Sequence, residues 1–245
     1  MSNAMWAAVL GSRIETQRLD VVANNLANAD TAGFKADASV FQSHLDYISR
    51  RDFDFSRRSL KNINRYLDSA TDQNPGPIMS TGRAGDLAIE GSGYFVVQSE
   101  RGEAYTRAGN FRLDIEGNLV TASGDPVLGQ GGPITLPVGA EFEVRSDGTI
   151  VVGAEEIDRV RIEDVQDPRQ LRKMGASLFV KSASAAINAE PDYQIIDKAL
   201  EGSNVNVMRE MAVMVTAGRQ YEAFQAAIRT MSQVNSRAGE TLAKA

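Results

Sequence analysis

The sequence contains no cysteine and a single histidine, His44. Without cysteine the fold cannot depend on disulfides, and thiolate metal sites and cysteine nucleophiles are excluded. One histidine provides no second imidazole for a metal cluster, and we interpret His44 as a surface or packing residue rather than the base of a catalytic triad. We therefore expect no catalytic residue, no metal site and no cofactor.

The sequence also lacks an excess of positive charge and any long apolar run. Its 26 Lys and Arg residues are outnumbered by 32 Asp and Glu residues, which gives a net charge of -6. Such a chain has no electrostatic footprint for nucleic acid or anionic lipid. No stretch approaches the roughly 18 apolar residues of a membrane span. We therefore expect no nucleic-acid partner and no membrane insertion.

The first residues lack a basic segment followed by an apolar run and a small-residue cleavage site. If the protein is exported, the expected route is not the ordinary secretory one. Met1–Ala4 is read as native sequence, although its order also matches the remnant of a removed tag. With 245 residues, 42% of them apolar, the chain can bury a real core in one large domain or two small ones with extensions.

Three glycine-containing segments have a superficial likeness to ligand-binding loops. Gly91–Gly93 and Gly129–Gly132 are not placed at strand-to-helix junctions, as phosphate loops are. Asp114–Gly117 lacks the regular oxygen ligands and the closing glutamate of a calcium loop. We interpret all three segments as turns. Paired carboxylates for glycoside hydrolysis have no positive support in the sequence.

The first 29 or so residues are predicted to form a helix. Heptad-like spacing of four and three residues runs through Leu10, Ile14, Gln17, Val21, Asn24 and Asn28. A second apolar stripe, Leu19, Val22 and Leu26, indicates neighbours on more than one side. The run ends at Asp30–Gly33, where Gly33 suits a left-handed cap.

A longer helix is predicted from Val207 to about Leu242, with Asn206 as its N-cap. At 1.5 Å per residue it would be about 54 Å long. One three-four register contains Val207, Met214, Ala217, Tyr221, Phe224, Ile228, Met231, Ala238 and Leu242. A helix of this length must pack on another surface.

The two periodic ends are predicted to form an assembly interface, because their apolar faces carry polar residues that can set register among copies. The alternative is that both helices pack only on their own domain. The predicted interface residues are Leu10, Ile14, Val21, Asn24 and Asn28 in the first helix, and Met214, Tyr221, Phe224, Ile228 and Met231 in the second.

The middle of the chain has the alternation typical of strands. Two segments 31 residues apart, starting at Phe111 and Phe142, each predict a hairpin that turns at a glycine, Gly117 and Gly148. The predicted fold class is α+β, with long N- and C-terminal coiled-coil-forming helices flanking a mainly antiparallel β-domain. The predicted divisions are a polymerisation helix and signature at 1–36, an irregular connecting region at 37–84, a β-rich domain at 85–181, a connector at 182–205 and a second polymerisation helix at 206–245.

Several segments resemble the signatures of the flagellar rod and hook proteins. Ala23–Lys35 resembles their N-terminal signature, and Asp86–Phe95 resembles the start of their β-domain. Leu200–Asn206, followed by Glu210–Met211 and Arg219–Tyr221, resembles their C-terminal signature. The chain length, Gly129–Ile134 and Ser236–Gly239 favour the proximal-rod type over the distal-rod and hook types. Val207 departs from the pattern, because proline is common at that first helical turn.

The resemblance implies a structural, non-enzymatic subunit of the basal-body rod in the periplasmic space. It implies export by the flagellar type III apparatus without a cleaved signal, and self-assembly into a hollow axial tube with copies of itself and other axial rod proteins. The alternatives are a distal-rod or hook protein, a wall-cleaving enzyme, or an adhesin whose helices trimerise. We also expect a fragment from about Asp37 to Ala199 to fold as a β-rich monomer.

Overall fold

The computed structural model describes residues 3–39, 69–137, 139–175, 177–188 and 192–243. These residues form two compact units. The helical unit comprises the described residues within Met1–Ala27, Asp37–Asp72 and Asn206–Ala245, and the β unit comprises those within Asn28–Ala36 and Gln73–Val205. His44 and residues 40–68 of the predicted connecting region lie outside the described residues.

Two long helices lie in the helical unit, α1 (Asn3–Ala27) and α2 (Val207–Ala243). The predicted N-cap of α2 is confirmed, since Asn206 Oδ1 accepts a hydrogen bond from the backbone N–H of Arg209 at 3.0 Å. The helices run antiparallel, because Asn25 near the end of α1 lies 3.4 Å from Glu210 at the start of α2. Neither helix is long and apolar enough to cross a membrane.

The strands are short and their pairings are antiparallel throughout the described residues. They are β1 (Asp37–Ser39), β2 (Ser69–Thr71), β3 (Ile78–Ser80), β4 (Leu87–Gly91), β5 (Tyr94–Ser99), β6 (Gly102–Thr106), β7 (Arg112–Leu113), β8 (Leu119–Val120), β9 (Glu143–Val144), β10 (Thr149–Val152), β11 (Glu155–Arg159), β12 (Ile162–Val165), β13 (Leu171–Gly175), β14 (Leu178–Lys181), β15 (Ile187–Asn188), β16 (Tyr193–Asp197) and β17 (Ala199–Glu201).

The largest sheet has the order β13-β14-β6-β5-β12-β15. A three-stranded sheet has the order β11-β10-β9, and the two-stranded pairs are β1-β2, β16-β4, β17-β3 and β7-β8. Strand β5 is central in the largest sheet, which explains why its first four residues are all apolar or aromatic and all buried.

The core of the β unit lies on both faces of β5. Phe95 belongs to one apolar cluster, and its ring meets the Phe111 ring edge to face at 5.1 Å between centroids. Val96 belongs to a second cluster with Tyr105 and Phe179. Alternate residues of a strand point to opposite faces, so one short strand contributes to both clusters.

Both predicted hairpins are confirmed. β7 pairs with β8 and β9 pairs with β10, and the turn glycines Gly117 and Gly148 have φ of 87° and 91°. The preceding aspartates stabilise the turns, because Asp114 accepts the backbone N–H of residues 116 and 118 at 2.8 Å and Asp147 accepts that of residue 149 at 3.0 Å. The Asn118 side-chain amide, which donates to Asp114 Oδ2 at 2.9 Å, and then the backbone hydrogen bonds hold the pKa of Asp114 below its usual range. The backbone N–H of Thr149 lowers the pKa of Asp147 in the same way.

The fold-class prediction of α+β with coiled-coil-forming ends was wrong in the relative amounts of helix and strand. The described residues contain two α-helices, and the part of the chain between them is built of strands whose content exceeds that of the helices. Terminal helices do flank a β domain, as expected. The two long helices give a strong periodic pattern of apolar residues, whereas strands of two to six residues give a weak one. The sequence pattern therefore led to an underestimate of the β content.

Ser177 offers a test of backbone strain in the turn between β13 and β14. Its φ of 58° lies in the left-handed region, which costs a non-glycine residue about 1 kcal/mol or more. Ser177→Gly is expected to raise the free energy of unfolding by about 0.5 kcal/mol after the entropic cost of glycine. Urea denaturation measures the change. Ser177→Ala keeps the strain, and an equal gain in that variant would contradict the explanation.

Candidate assembly site

The two helices pack through a narrow seam on α1. The buried residues of α1 are Ala8, Ser12, Glu15, Val22 and Asn25. A Cβ atom added to Gly11 would lie 2.4 Å from the Phe224 ring of α2, so glycine permits the close approach of the helices there. On the α2 side Ala217 is fully buried. The seam therefore uses small side chains together with one aromatic ring.

Polar residues fix the register of this seam. Asn25 donates to the backbone carbonyl of Asp37 at 2.9 Å and accepts the N–H of Asp37 at 2.9 Å, and it also contacts Glu210. The Gln220 amide, oriented with its nitrogen toward Glu15, donates to both carboxylate oxygens at 2.9 and 3.2 Å. Burial raises the pKa of Glu15, and the nearby Arg18 opposes that shift.

The predicted interface residues occupy mixed positions. Asn24 is exposed, whereas the other nine are half-buried: Leu10, Ile14, Val21, Asn28, Met214, Tyr221, Phe224, Ile228 and Met231. The buried face of α1 is therefore not the predicted one. Phe224 faces Gly11 within the chain. The participation of all ten residues in assembly stays a prediction.

Sequence reasoning missed an exposed apolar patch on α2. Met208, Met211 and Val215 are 77%, 51% and 56% exposed. Their spacing of three and four residues places them on one helix face. Glu222 lies on that face about two turns after Val215, and Arg229 about four turns after it. This spacing was visible in the sequence, but it was overlooked because the register assigned to the seam has the same three- and four-residue spacing and is longer. We name these three residues the α2 patch.

A buried ion cluster in the β unit joins three distant parts of the chain. The Glu201 carboxylate lies 2.6 Å from Lys35 Nζ and 3.2 Å from Arg107 Nη1. The side chains of Lys35 and Glu201 are 2% and 1% exposed. Arg107 also donates to the carbonyls of Ile89 and Gly91 at 3.0 and 2.7 Å. Lone buried charges are costly, so each member of the cluster depends on the others.

Backbone hydrogen bonds surround this cluster. Gly33, with φ of 63°, donates its N–H to the Glu201 carbonyl at 2.7 Å. The predicted left-handed conformation of Gly33 is confirmed, although α1 ends earlier, at Ala27. Asn204 donates its backbone N–H to the Phe34 carbonyl and accepts the N–H of Ala36 at 2.7 Å. The two terminal signatures therefore meet in the β unit, which the sequence could not indicate.

The described residues contain no group of three or more His, Asp or Glu side chains suited to a metal ion. A shallow surface groove is lined by Arg112, Leu113, Asp114, Ile115, Val120 and Gly124.

Three family models match the chain. Residues 15–35 match "Flagella basal body rod protein", residues 88–152 match "Flagellar hook protein FlgE/F/G D1 domain", and residues 196–240 match "Flagellar basal body rod FlgEFG protein C-terminal". A flagellar basal-body rod protein FlgF of Caulobacter vibrioides is 33% identical over 251 residues, which cover 100% of this chain and 99% of that protein. The chain belongs to the flagellar basal-body rod protein family.

Other members of the rod protein family match over similar lengths. FlgF of Salmonella typhimurium is 30% identical, with 99% of both chains covered. FlgG of Bacillus subtilis is 32% identical, with 96% of this chain and 97% of that protein covered. The family and the role of a structural subunit of the basal-body rod are thereby confirmed. The names of these rod proteins are consistent with a non-enzymatic role, and the absence of enzymatic activity stays a prediction.

The buried ion cluster gains meaning from these matches. Lys35, Arg107 and Glu201 each lie in a different one of the three matched segments. The α2 patch lies in the C-terminal rod segment. In this chain one carboxylate, that of Glu201, thus connects the three matched segments.

Proposed function

We propose that the chain is a proximal rod subunit that assembles through α1 and α2 with copies of itself and with other axial rod proteins. The α2 patch supports this proposal, because large exposed apolar side chains are costly to leave in water. Full burial of one such side chain contributes roughly 1.5 to 3 kcal/mol, so three provide a useful contact before ordering costs are subtracted. The proposal includes export by the flagellar type III apparatus, as the family resemblance implies.

The proximal position is favoured by sequence features rather than by overall identity. The FlgF relatives include matches at 33% and 30%, but a FlgG relative reaches 32%. Gly129–Ile134 and Ser236–Gly239 favour the proximal type. Expression in strains that lack either FlgF or FlgG distinguishes the two positions. Restored swimming only in the strain without FlgG would assign the chain to the distal rod instead.

Charge placed in the α2 patch should block assembly without unfolding the subunit. Met211→Asp combined with Val215→Asp puts two carboxylates where burial against a neighbour would cost several kcal/mol. Cells that carry this double variant are expected to make and export the subunit but not to swim. Motility in soft agar and electron microscopy of basal bodies measure the effect.

Arg229→Asp is the matched control, because it places the same charge on the charged part of that helix face. We expect it to reduce swimming much less than the double variant. Circular dichroism of the purified proteins shows whether helix and strand content are kept. Normal swimming of the double variant, or loss of its folded structure, would contradict the proposed use of the α2 patch.

A further inference from the structure

The ion cluster lies within the β unit, and two of its members come from segments at which the chain enters or leaves that unit. The chain leaves or joins the β unit at four positions, which adjoin residues 28–36, 73–80 and 199–205. We name these three ranges the latch segments. Lys35 and Glu201 come from the first and third, and Gly76 of the second donates its N–H to Glu201 Oε1 at 3.0 Å. The Glu201 carboxylate of the third segment therefore contacts both of the other latch segments.

The latch segments contribute two buried apolar side chains, Phe34 and Ala199, and are otherwise attached by polar contacts. Neither apolar cluster of the β unit includes a latch residue, because the members of both clusters lie between Leu87 and Ile195. The segments are joined instead by Gly202 N–H to the Pro77 carbonyl at 2.8 Å and by Asn204 Nδ2 to the Asn74 carbonyl at 3.0 Å. The two apolar clusters can therefore keep all of their members when the latch segments leave.

The contacts within the latch are mutually dependent. Removal of the first segment takes Lys35 from Glu201 and also removes the Phe34 carbonyl that accepts the Asn204 N–H. Removal of the third segment takes away the Glu201 carboxylate and leaves the buried Arg107 guanidinium without its ion-pair partner. Because an unpaired buried charge is strongly unfavourable, partial opening is less favourable than complete opening.

We propose that Lys35, Arg107 and Glu201 form a latch that opens and closes as one unit, giving the subunit a discrete state with a folded β core and released latch segments. In that state the nine residues 28–36 can extend over about 30 Å, so the ends that carry α1 and α2 gain reach without unfolding of the core. The closed latch holds residues 28–36 and 199–205 on the β unit.

Native-state hydrogen exchange of the full chain at increasing urea concentrations tests the latch. The amide protons of Gly33, Gly202 and Asn204 are all donated to carbonyl oxygens of other latch residues. They are expected to exchange through one shared opening, with protection at least tenfold lower than that of the core amides of Leu119 and Val127. Independent exchange of the three latch amides, or exchange of all five in one transition, would overturn the proposal.

Glu201→Gln provides the second arm. Both carboxylate oxygens accept hydrogen bonds, so either orientation of the amide turns its NH₂ group toward a donor. Protection of the three latch amides is expected to fall by a common factor of at least about 100, with the core amides unchanged. Glu156→Gln, at a side chain 60% exposed, is the control and should change none of them. If Glu201→Gln does not fold, hydrogen exchange of the unaltered chain at increasing urea concentrations still tests the proposal.

Discussion

Replacement of Gly109 by alanine is expected to lower the free energy of unfolding of the β unit by more than about 4 kcal/mol, in the range reached by few single substitutions. A Cβ atom at Gly109 would lie 1.8 Å from the Leu87 carbonyl oxygen and 3.2 Å from the Phe95 ring. Relief by movement would break the hydrogen bond from Leu87 N–H to the Gly109 carbonyl, which is 3.0 Å long. Urea denaturation followed by circular dichroism measures the loss.

Gly131→Ala is the matched control for Gly109→Ala. Its Cβ would meet only Asp158 Oδ2, at the ordinary contact distance of 3.5 Å, and neither glycine has a left-handed φ. We expect the control to change the free energy of unfolding by less than about 1 kcal/mol. Equal losses in the two variants would show that the close approach of Gly109 to Leu87 is not what constrains this position.

Tyr94 is expected to make the β unit lose stability between pH 10 and pH 12. Burial raises the pKa of its phenol to about 12, while the Arg107 guanidinium 5.3 Å from its ring opposes the shift. A tyrosine in the unfolded chain has a pKa near 10. The raised folded pKa therefore gives stability that is complete below pH 10 and is lost as pH rises to about 12. At 1.36 kcal/mol per pKa unit the loss is roughly 3 kcal/mol.

Tyr94→Phe separates this effect from other alkaline changes. At pH 8 the variant should be less stable by about 1 kcal/mol, because it loses the hydrogen bond from Tyr94 to Gln73, which is 2.9 Å long. Near pH 12 it should be more stable than the unaltered chain by roughly 1 to 2 kcal/mol, since it has no phenol to ionise on unfolding. Urea denaturation of both proteins across this range tests the crossing. Stability curves that stay parallel would rule out Tyr94 as the source.

The structure gives a reason to expect that the isolated fragment from Asp37 to Ala199 is less stable than the β unit of the full chain. A fragment from Asp37 to Ala199 omits Lys35 and Glu201 and would leave Arg107 without its buried partner. The period-two pattern of the sequence predicted a β-rich region between the helices. That pattern does not show that charged residues outside the region pair with a residue inside it. The contribution of Lys35 and Glu201 to the β unit depends on a pairing across 166 residues.

The sequence by itself determined the features that depend on neighbours along the chain. The cap formed by Asn206 and Arg209, the turns at Gly117 and Gly148, and the two helical ends all arise from contacts within a few residues. Their spacing patterns are therefore visible without a fold. The family segments were visible for the same reason, because each is a continuous run.

Only the tertiary structure decided which helix face is buried and which charges meet. α1 carries apolar residues on more than one face, so its heptad spacing fits several packings, and the close approach of Phe224 to Gly11 selects one. The Lys35–Glu201 contact has no local signal in the sequence. Periodicity shows which face of a helix or strand a residue occupies, but not which residue of another segment lies against it. Those partners are determined by long-range packing, because burial and charge pairing depend on segments that are distant along the chain.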